Sequence, residues 1–446
     1  MTRRGITGRR RLLGALGASC AALVLACSGN QEDAPKLSKG VSDAIPDVPV
    51  PAADGPKLGA VSYITQVLDR PSKGGELLGE LRAGSLVARA GEPYSKDGCE
   101  GGWYPVRPRG FVCATENATI DLEHPTLIAM AQQPDREAPL PYTYARTGQT
   151  TPIYARDPKN DHAVVEVGKI RGRSGLAIVG SWTATDPEGN SQRLGMMTDG
   201  RFVRATDLKK AEHTSFKGVD LTQTELPVAF VVKQGVRAWQ VEKGEAEKQG
   251  KLEYHQTIPL TGKFRDVNGL RYWATADDRY VRHRDVTVVR QRSTFPDFAQ
   301  GETRWIDISI VTGTLVLYEG TKPVYTTLVS VGRNRLDDSG DAVTRRGTFK
   351  VTAKYITATH IDPTKVEQYW DVYDTPWVLE LDSGQRLHGA FWHSRFGIEH
   401  TGGDVHLTPA DAAHVFRWVT AEVPDGWNAL KRWPDGVDPV QVVIRK

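Results

Sequence analysis

A mainly β protein is predicted by three observations on this chain of 446 residues. Apolar and polar residues alternate over short runs such as "RWIDISIV" from Arg304, which places successive side chains on opposite faces of an extended strand. Gly, Asp and Asn punctuate these runs, supplying the backbone freedom and local hydrogen bonding that tight turns need. A helix with proper end signals is read late in the chain, after Thr408. The length exceeds one ordinary domain, so a modular protein is expected.

The first 26 residues carry Arg3, Arg4, Arg9, Arg10 and Arg11 without an acid, followed by the apolar run "LLGALGASCAALVLA". That is the pattern of a signal peptide, too short for a membrane span. It ends at Leu25-Ala26-Cys27, which resembles a bacterial lipobox. Cys27 is therefore the expected lipidation site and first mature residue, with plain cleavage or a twin-arginine signal as alternatives. Residues 27–56 are rich in Pro, Ala, Asp and Ser without apolar period, and read as a disordered tether. The expected location is the cell envelope, exported and held to a membrane by lipid. The chain has 57 basic and 54 acidic residues. Without the five leader arginines, acids exceed bases by two, so no polybasic face is implied and nucleic acid is not an expected partner.

Three modules are expected next, at 57–125, 140–215 and 226–290. Each ends alike, in "RGFVCATENA" from Arg109, "GRFVRATDL" from Gly200 and "DRYVRHRDV" from Asp278. Each ending follows short alternating segments, which suggests small β-barrels. The first, with "GGWYPV" and "RGFVC", resembles bacterial SH3-like domains, which in exported proteins often bind cell wall. Cys99 and Cys113 bracket its Gly/Trp/Tyr turn. A disulfide is expected there in an oxidising compartment; two free thiols or half of a metal site are the rival readings, and no second cysteine pair exists to complete a zinc cluster.

The last module is expected at 300–446. "RWIDISIV", "GTLVLYEG" and "KPVYTTLVSVG" form a meander, the first two joined at Thr312-Gly313. "TRRGTFKVTAKY" adds a turn and a further strand. Thr408 is the expected N-cap of a helix with Pro409 at its first position and Asp411 at its positive end, and Val415, Phe416 and Val419 form its buried stripe. Just before it stand His388-Gly389 and "HTGGDVHL", His400 to Leu407.

From Arg304 to about Trp433 these strands and motifs, with "TRRGTFKV", "LHGAFWHSRFG" and "TGGDVHLTPADA", resemble an L,D-transpeptidase catalytic domain of the YkuD type. The resemblance implies a β-rich fold with a short helix after the active-site motif. It also implies action on peptidoglycan stem peptides through a thioester, with no cofactor. Its signature places His388 as base, Gly389 and Gly403 as glycines, Thr401 as the Ser/Thr and Val405 as the apolar residue. Gly402 stands where a second histidine often sits, and His406 on the Arg/Asn position. Asp404 falls where the nucleophilic cysteine belongs.

That replacement changes the chemistry. A thiolate attacks an amide carbonyl and carries the acyl group; a carboxylate is a weaker nucleophile whose product is a reactive anhydride. The expectation is a stem-peptide site, with Gly389, Thr401, Gly403 and His406 binding substrate, impaired in catalysis. Asp404 would pair with His388, and the backbone N–H groups of Gly403 and Asp404 would form an oxyanion-type pocket. The alternative is an active enzyme using Asp404, or a metal held among His388, His393, His400, Asp404 and His406, in an unfamiliar mechanism; no His-Glu-x-x-His helix supports the metal. Tyr373, Trp377 and Trp392 line a groove or fill the core, with the sequence favouring core for Trp392.

Overall fold

The computed structural model describes residues 45–333, 342–359 and 372–446. The expected signal peptide, Cys27 and the first part of the tether lie outside them. Strands make up 46% of the described residues and helices 5%, so the protein is mainly β. Residues 45–446 form one compact unit.

The similar endings in the sequence correspond to a structural repeat. One set of seven strands comprises Thr143–Thr147, Thr151–Asp157, Asn160–Ile170, Gly175–Thr185, Ser191–Met197, Phe202–Arg204 and Leu208–Lys210. Numbered in that order, they lie as 3-2-6-5-4-1-7. The seven strands from Val228–Val231 to Val286–Val289 lie in the same order. In the first repeat, from Lys57–Ala60 to Ala118–Thr119, the order is again kept, but strands 4 and 5 meet only through the single bridge Arg89 to Val106. The shared "FVR" and "YVR" have a matching job. Arg204 lies over Tyr154 at 5.4 Å and Arg282 over Trp239 at 5.3 Å, each aromatic being the register partner of the residue opening strand 6. The first repeat has Cys113 at that position, bonded to Cys99 across a sequence separation of 14.

The final module is built on a sheet in which Arg304–Ser309 pairs antiparallel with Thr314–Glu319 and parallel with Gln441–Arg445. The latter pairs with the twelve-residue strand Gly347–Ala358, which in turn meets Thr375–Leu381 and Ala429–Leu430. Gly313 turns the first hairpin at φ +61, and a Cβ there would meet the Gly397 carbonyl carbon at 2.6 Å, so both its conformation and its close approach require glycine.

Two strand pairings, and the single bridge of Gly175 to Val372, cross the expected module boundaries. Leu77–Leu81 of the first repeat pairs with Ala429–Leu430, and Val219–Asp220, between the second and third repeats, pairs with Lys322–Leu328. One core follows, holding Leu58, Val67 and Val112 of the first repeat with Ile306, Ile308, Trp377 and Phe416. The expectation of a disordered tether to residue 56 is corrected at its end. Val48 packs on the cluster of Leu68, Trp103 and Phe111, Pro51 is buried, and the Pro51 carbonyl accepts from Arg107 Nη1 at 3.1 Å. Prolines lack apolar period yet offer apolar surface with little entropy left to lose.

The helix Pro409–Trp418 is as read: the Thr408 side chain accepts from Asp411 N, contributing about 1 kcal/mol, and Val415, Phe416 and Val419 are buried. Asp411 does more than complement the helix end. It is fully buried, and its carboxylate accepts from Gly218 N (2.8 Å), Tyr325 Oη (2.6 Å), Thr327 Oγ1 (2.6 Å) and Thr408 Oγ1 (2.9 Å). Burial pushes its pKa up against those four donors.

Candidate functional site

His388 sits on the strand Arg386–Gly389, which runs parallel to Val405–Leu407 with His388 opposite His406 and Leu387 opposite Val405. Register partners in a parallel pair point to the same side of the sheet. The two imidazoles accordingly lie with centroids 4.4 Å apart. Asp404 immediately precedes the second strand, so the same pairing brings its carboxylate to His388: Oδ2 is 3.7 Å from Nε2, within ion-pair range and beyond a hydrogen bond. Its Oδ1 accepts from the Arg386 backbone N–H at 2.9 Å, which fixes the carboxylate's orientation.

Proton positions follow from the partners. A carbonyl only accepts, so the contact of His388 Nδ1 with the Gly389 carbonyl, 3.2 Å, puts hydrogen on Nδ1 and leaves Nε2 facing Asp404. Arg395 N donates to His393 Nδ1 at 3.1 Å, so the His393 proton is on Nε2, which meets His406 Nδ1 at 2.9 Å. Burial first, then neighbouring His400 and His388, lowers His393 to about 3. Burial also pushes His406 well down, with His388, His393 and His400 adding to it. His400 is lowered by burial and by Arg395 and Arg333. Neutral imidazoles thus surround the His388–Asp404 pair. Among the described residues no group of three or more His, Cys, Asp or Glu has a metal-holding arrangement; the His393–His406 bond directs those two nitrogens at each other.

The residues read as substrate-binding fall into two kinds. Thr401 is buried; its Oγ1 donates to the Asp404 carbonyl at 2.6 Å and accepts from Gly403 N at 3.2 Å. The expected oxyanion pocket is therefore corrected at one donor, because the Gly403 N–H is taken by Thr401. The Gly403 carbonyl is held by Thr344 Oγ1 and Gln385 Nε2, both at 2.8 Å. Gly389 is a packing position, where a Cβ would meet Pro376 Cγ at 3.1 Å and Ala412 Cβ at 3.3 Å. Thr401, Gly403 and Gly389 shape the turn and strand, whereas His406 stands beside His388, the residue read with Asp404 as catalytic. Trp377 is core, its Nε1 donating to the Pro139 carbonyl at 2.7 Å.

Sequence reasoning did not find what holds the connecting segment, residues 390–397. The second repeat supplies Tyr144, whose ring lies 4.5 Å from that of Phe391, and Arg146, whose Nη1 donates to the Trp392 carbonyl at 3.4 Å. The third supplies Phe230, in one cluster with Phe396, and Tyr254, whose hydroxyl reaches the Ser394 carbonyl at 3.5 Å. Ser330 exchanges both backbone hydrogen bonds with His406 at 2.9 Å, and its hydroxyl donates to the Arg395 carbonyl. No local pattern in these repeats marks them as neighbours of the histidines.

Compared with known proteins, residues 303–442 match the YkuD family, the L,D-transpeptidase catalytic domain. No curated protein matches the chain. Among solved structures, an L,D-transpeptidase from Stackebrandtia nassauensis is 20% identical with a TM-score of 0.23, over 34% of this chain and 60% of its own. L,D-transpeptidase 1 of Mycobacterium tuberculosis is 20% identical with a TM-score of 0.23, over 42% and 83%. An L,D-transpeptidase from Mycobacterium smegmatis is 13% identical with a TM-score of 0.24, over 54% and 89%. The chain thus spans less than two thirds of the length of the Stackebrandtia protein.

Proposed function

We propose that this is an exported, lipid-anchored cell-envelope protein whose C-terminal domain, matched by the L,D-transpeptidase catalytic family at 303–442, binds peptidoglycan stem peptides without acyl transfer. The observation that carries the reading is Asp404, standing at the nucleophile's place with its Oδ2 3.7 Å from His388 Nε2. The base and the strand pairing that presents it are kept, while the atom that would carry the acyl group is an oxygen of a carboxylate. An attack by that oxygen yields a mixed anhydride, which water destroys before an amine can be selected. The Gly403 N–H, engaged by Thr401, is also unavailable to a developing oxyanion. In this reading the three repeats are SH3-like modules, and the second and third brace the histidine segment.

The test compares wild type with Asp404→Cys and His388→Ala on tetrapeptide stems with an amine acceptor and a carbapenem-type acylating probe, with and without chelator. Wild type should bind stems yet give no crosslink and no adduct; Asp404→Cys should give a thioester adduct by mass. Chelator-resistant turnover by wild type that Asp404→Ala abolishes, or turnover lost with chelator, overturns the reading in favour of a working enzyme. Failure of wild type to bind stems removes the recognition role. Mass analysis of the exported protein tests the anchor: the mature N-terminus should be Cys27 carrying lipid.

A further inference from the structure

A cavity of about 340 Å³ lies where the first repeat, the short helix Pro125–Ala129 and the loop around Trp427 meet, and it shares no lining residue with the histidine site. Its volume is in the range of small-molecule sites. Leu86, Leu122 and Ile128 line it and are 45%, 43% and 61% exposed, an apolar cluster at the surface that folding alone would cover. The polar lining comprises Arg82, Ser85, Gln133, Arg136, Tyr142 and Asn428. Neither the Ser85 hydroxyl nor that of Tyr142 has a hydrogen-bond partner among the described residues, and both oxygens are open to solvent. Arg82 is buried, and its Nε–H has no partner. Arg136 adds a second guanidinium, and the lining includes no acid; the carboxylates facing the two arginines, Asp374 at 3.5 Å and Asp425 at 3.6 Å, are not part of it.

We propose that this cavity is a binding site for a small apolar carboxylate. Its hydrocarbon body would lie against Leu86, Leu122 and Ile128, and its carboxylate would accept from the Ser85 and Tyr142 hydroxyls in the positive field of Arg82 and Arg136. The wall holds two guanidinium groups and no carboxylate, which favours an anion over an amine, and the two hydroxyls, able to donate or accept, make their stronger hydrogen bonds to a charged acceptor than to an alcohol. Nothing in the stem-peptide reading requires this site.

The experiment uses the full mature chain. Anilinonaphthalene sulfonate fluorescence is titrated to saturation and then displaced by octanoate or by octanol, which has the same chain without the carboxylate. Octanoate should displace the dye from one site, and octanol should need at least about tenfold more, because its oxygen accepts the same hydrogen bonds without charge assistance. Ser85→Ala with Tyr142→Phe should weaken octanoate about tenfold. Ala131→Trp, an exposed lining position able to fill the space, should abolish displaceable binding while the melting temperature is kept. Equal displacement by octanol, unsaturable dye binding, or Ala131→Trp binding like wild type would each overturn the proposal.

Discussion

Asp374→Asn tests the joint that holds the modules together. Asp374 is 2% exposed and adopts φ +55 between the first two repeats and the C-terminal sheet. Its carboxylate accepts from Thr357 Oγ1 at 3.0 Å, Tyr63 Oη at 3.4 Å and Thr198 Oγ1, and faces Arg82 at 3.5 Å, while its carbonyl accepts from Tyr144 Oη at 2.5 Å. Asparagine keeps the shape and tolerates positive φ, so the substitution isolates charge. It leaves Arg82 buried without its counter-ion, for which the expected loss is about 3–5 kcal/mol. With a urea slope near the upper end for single domains, about 3 kcal/mol/M, the midpoint should fall by roughly 1–2 M. Arg82→Met alone should also destabilise. Combined with Asp374→Asn, it should recover most of the loss, since both charges are then gone. Urea melts of the four proteins followed by tryptophan fluorescence provide the cycle. A single-variant shift under about 0.3 M, or a double variant no more stable than Asp374→Asn, would refute the claim that this ion pair locks the interface.

Two further outcomes follow from buried groups. Lys354 is 1% exposed, its Nζ donates to the Val419 carbonyl at 2.8 Å, and burial lowers its pKa to about 7 from the usual 10.5. Between those values the unfolded chain binds more protons than the folded one, so stability should rise with pH from about 7 toward 10.5, with the full penalty below 7; Lys354→Met should remove that rise when midpoints are compared across the window. Opening the Cys99–Cys113 bond, by paired substitution to serine, should cost about 3 kcal/mol for a loop of this length, measured by denaturant melts of the oxidised wild type against the variant.

What can be read along the chain is local. Alternation over "RWIDISIV" assigns faces to a strand, and Thr408, Pro409 and Asp411 start a helix. The shared endings of the three repeats were legible as similarity, because the residue closing each sixth strand caps or crosslinks its own module. Tertiary structure decided the partners. A period of two says which side chains point inward and nothing about which strand lies alongside, so the pairing of Leu77–Leu81 with Ala429–Leu430 had no signal. The same holds at the site. Parallel register set His388 against His406, and packing by Tyr144 and Phe230 from separate repeats fixed the segment that carries His393. Hydrogen bonds are directional and each N–H has one proton to give, so whether Gly403 served an oxyanion or Thr401 depended on ångström-scale placement that spacing along a chain does not encode.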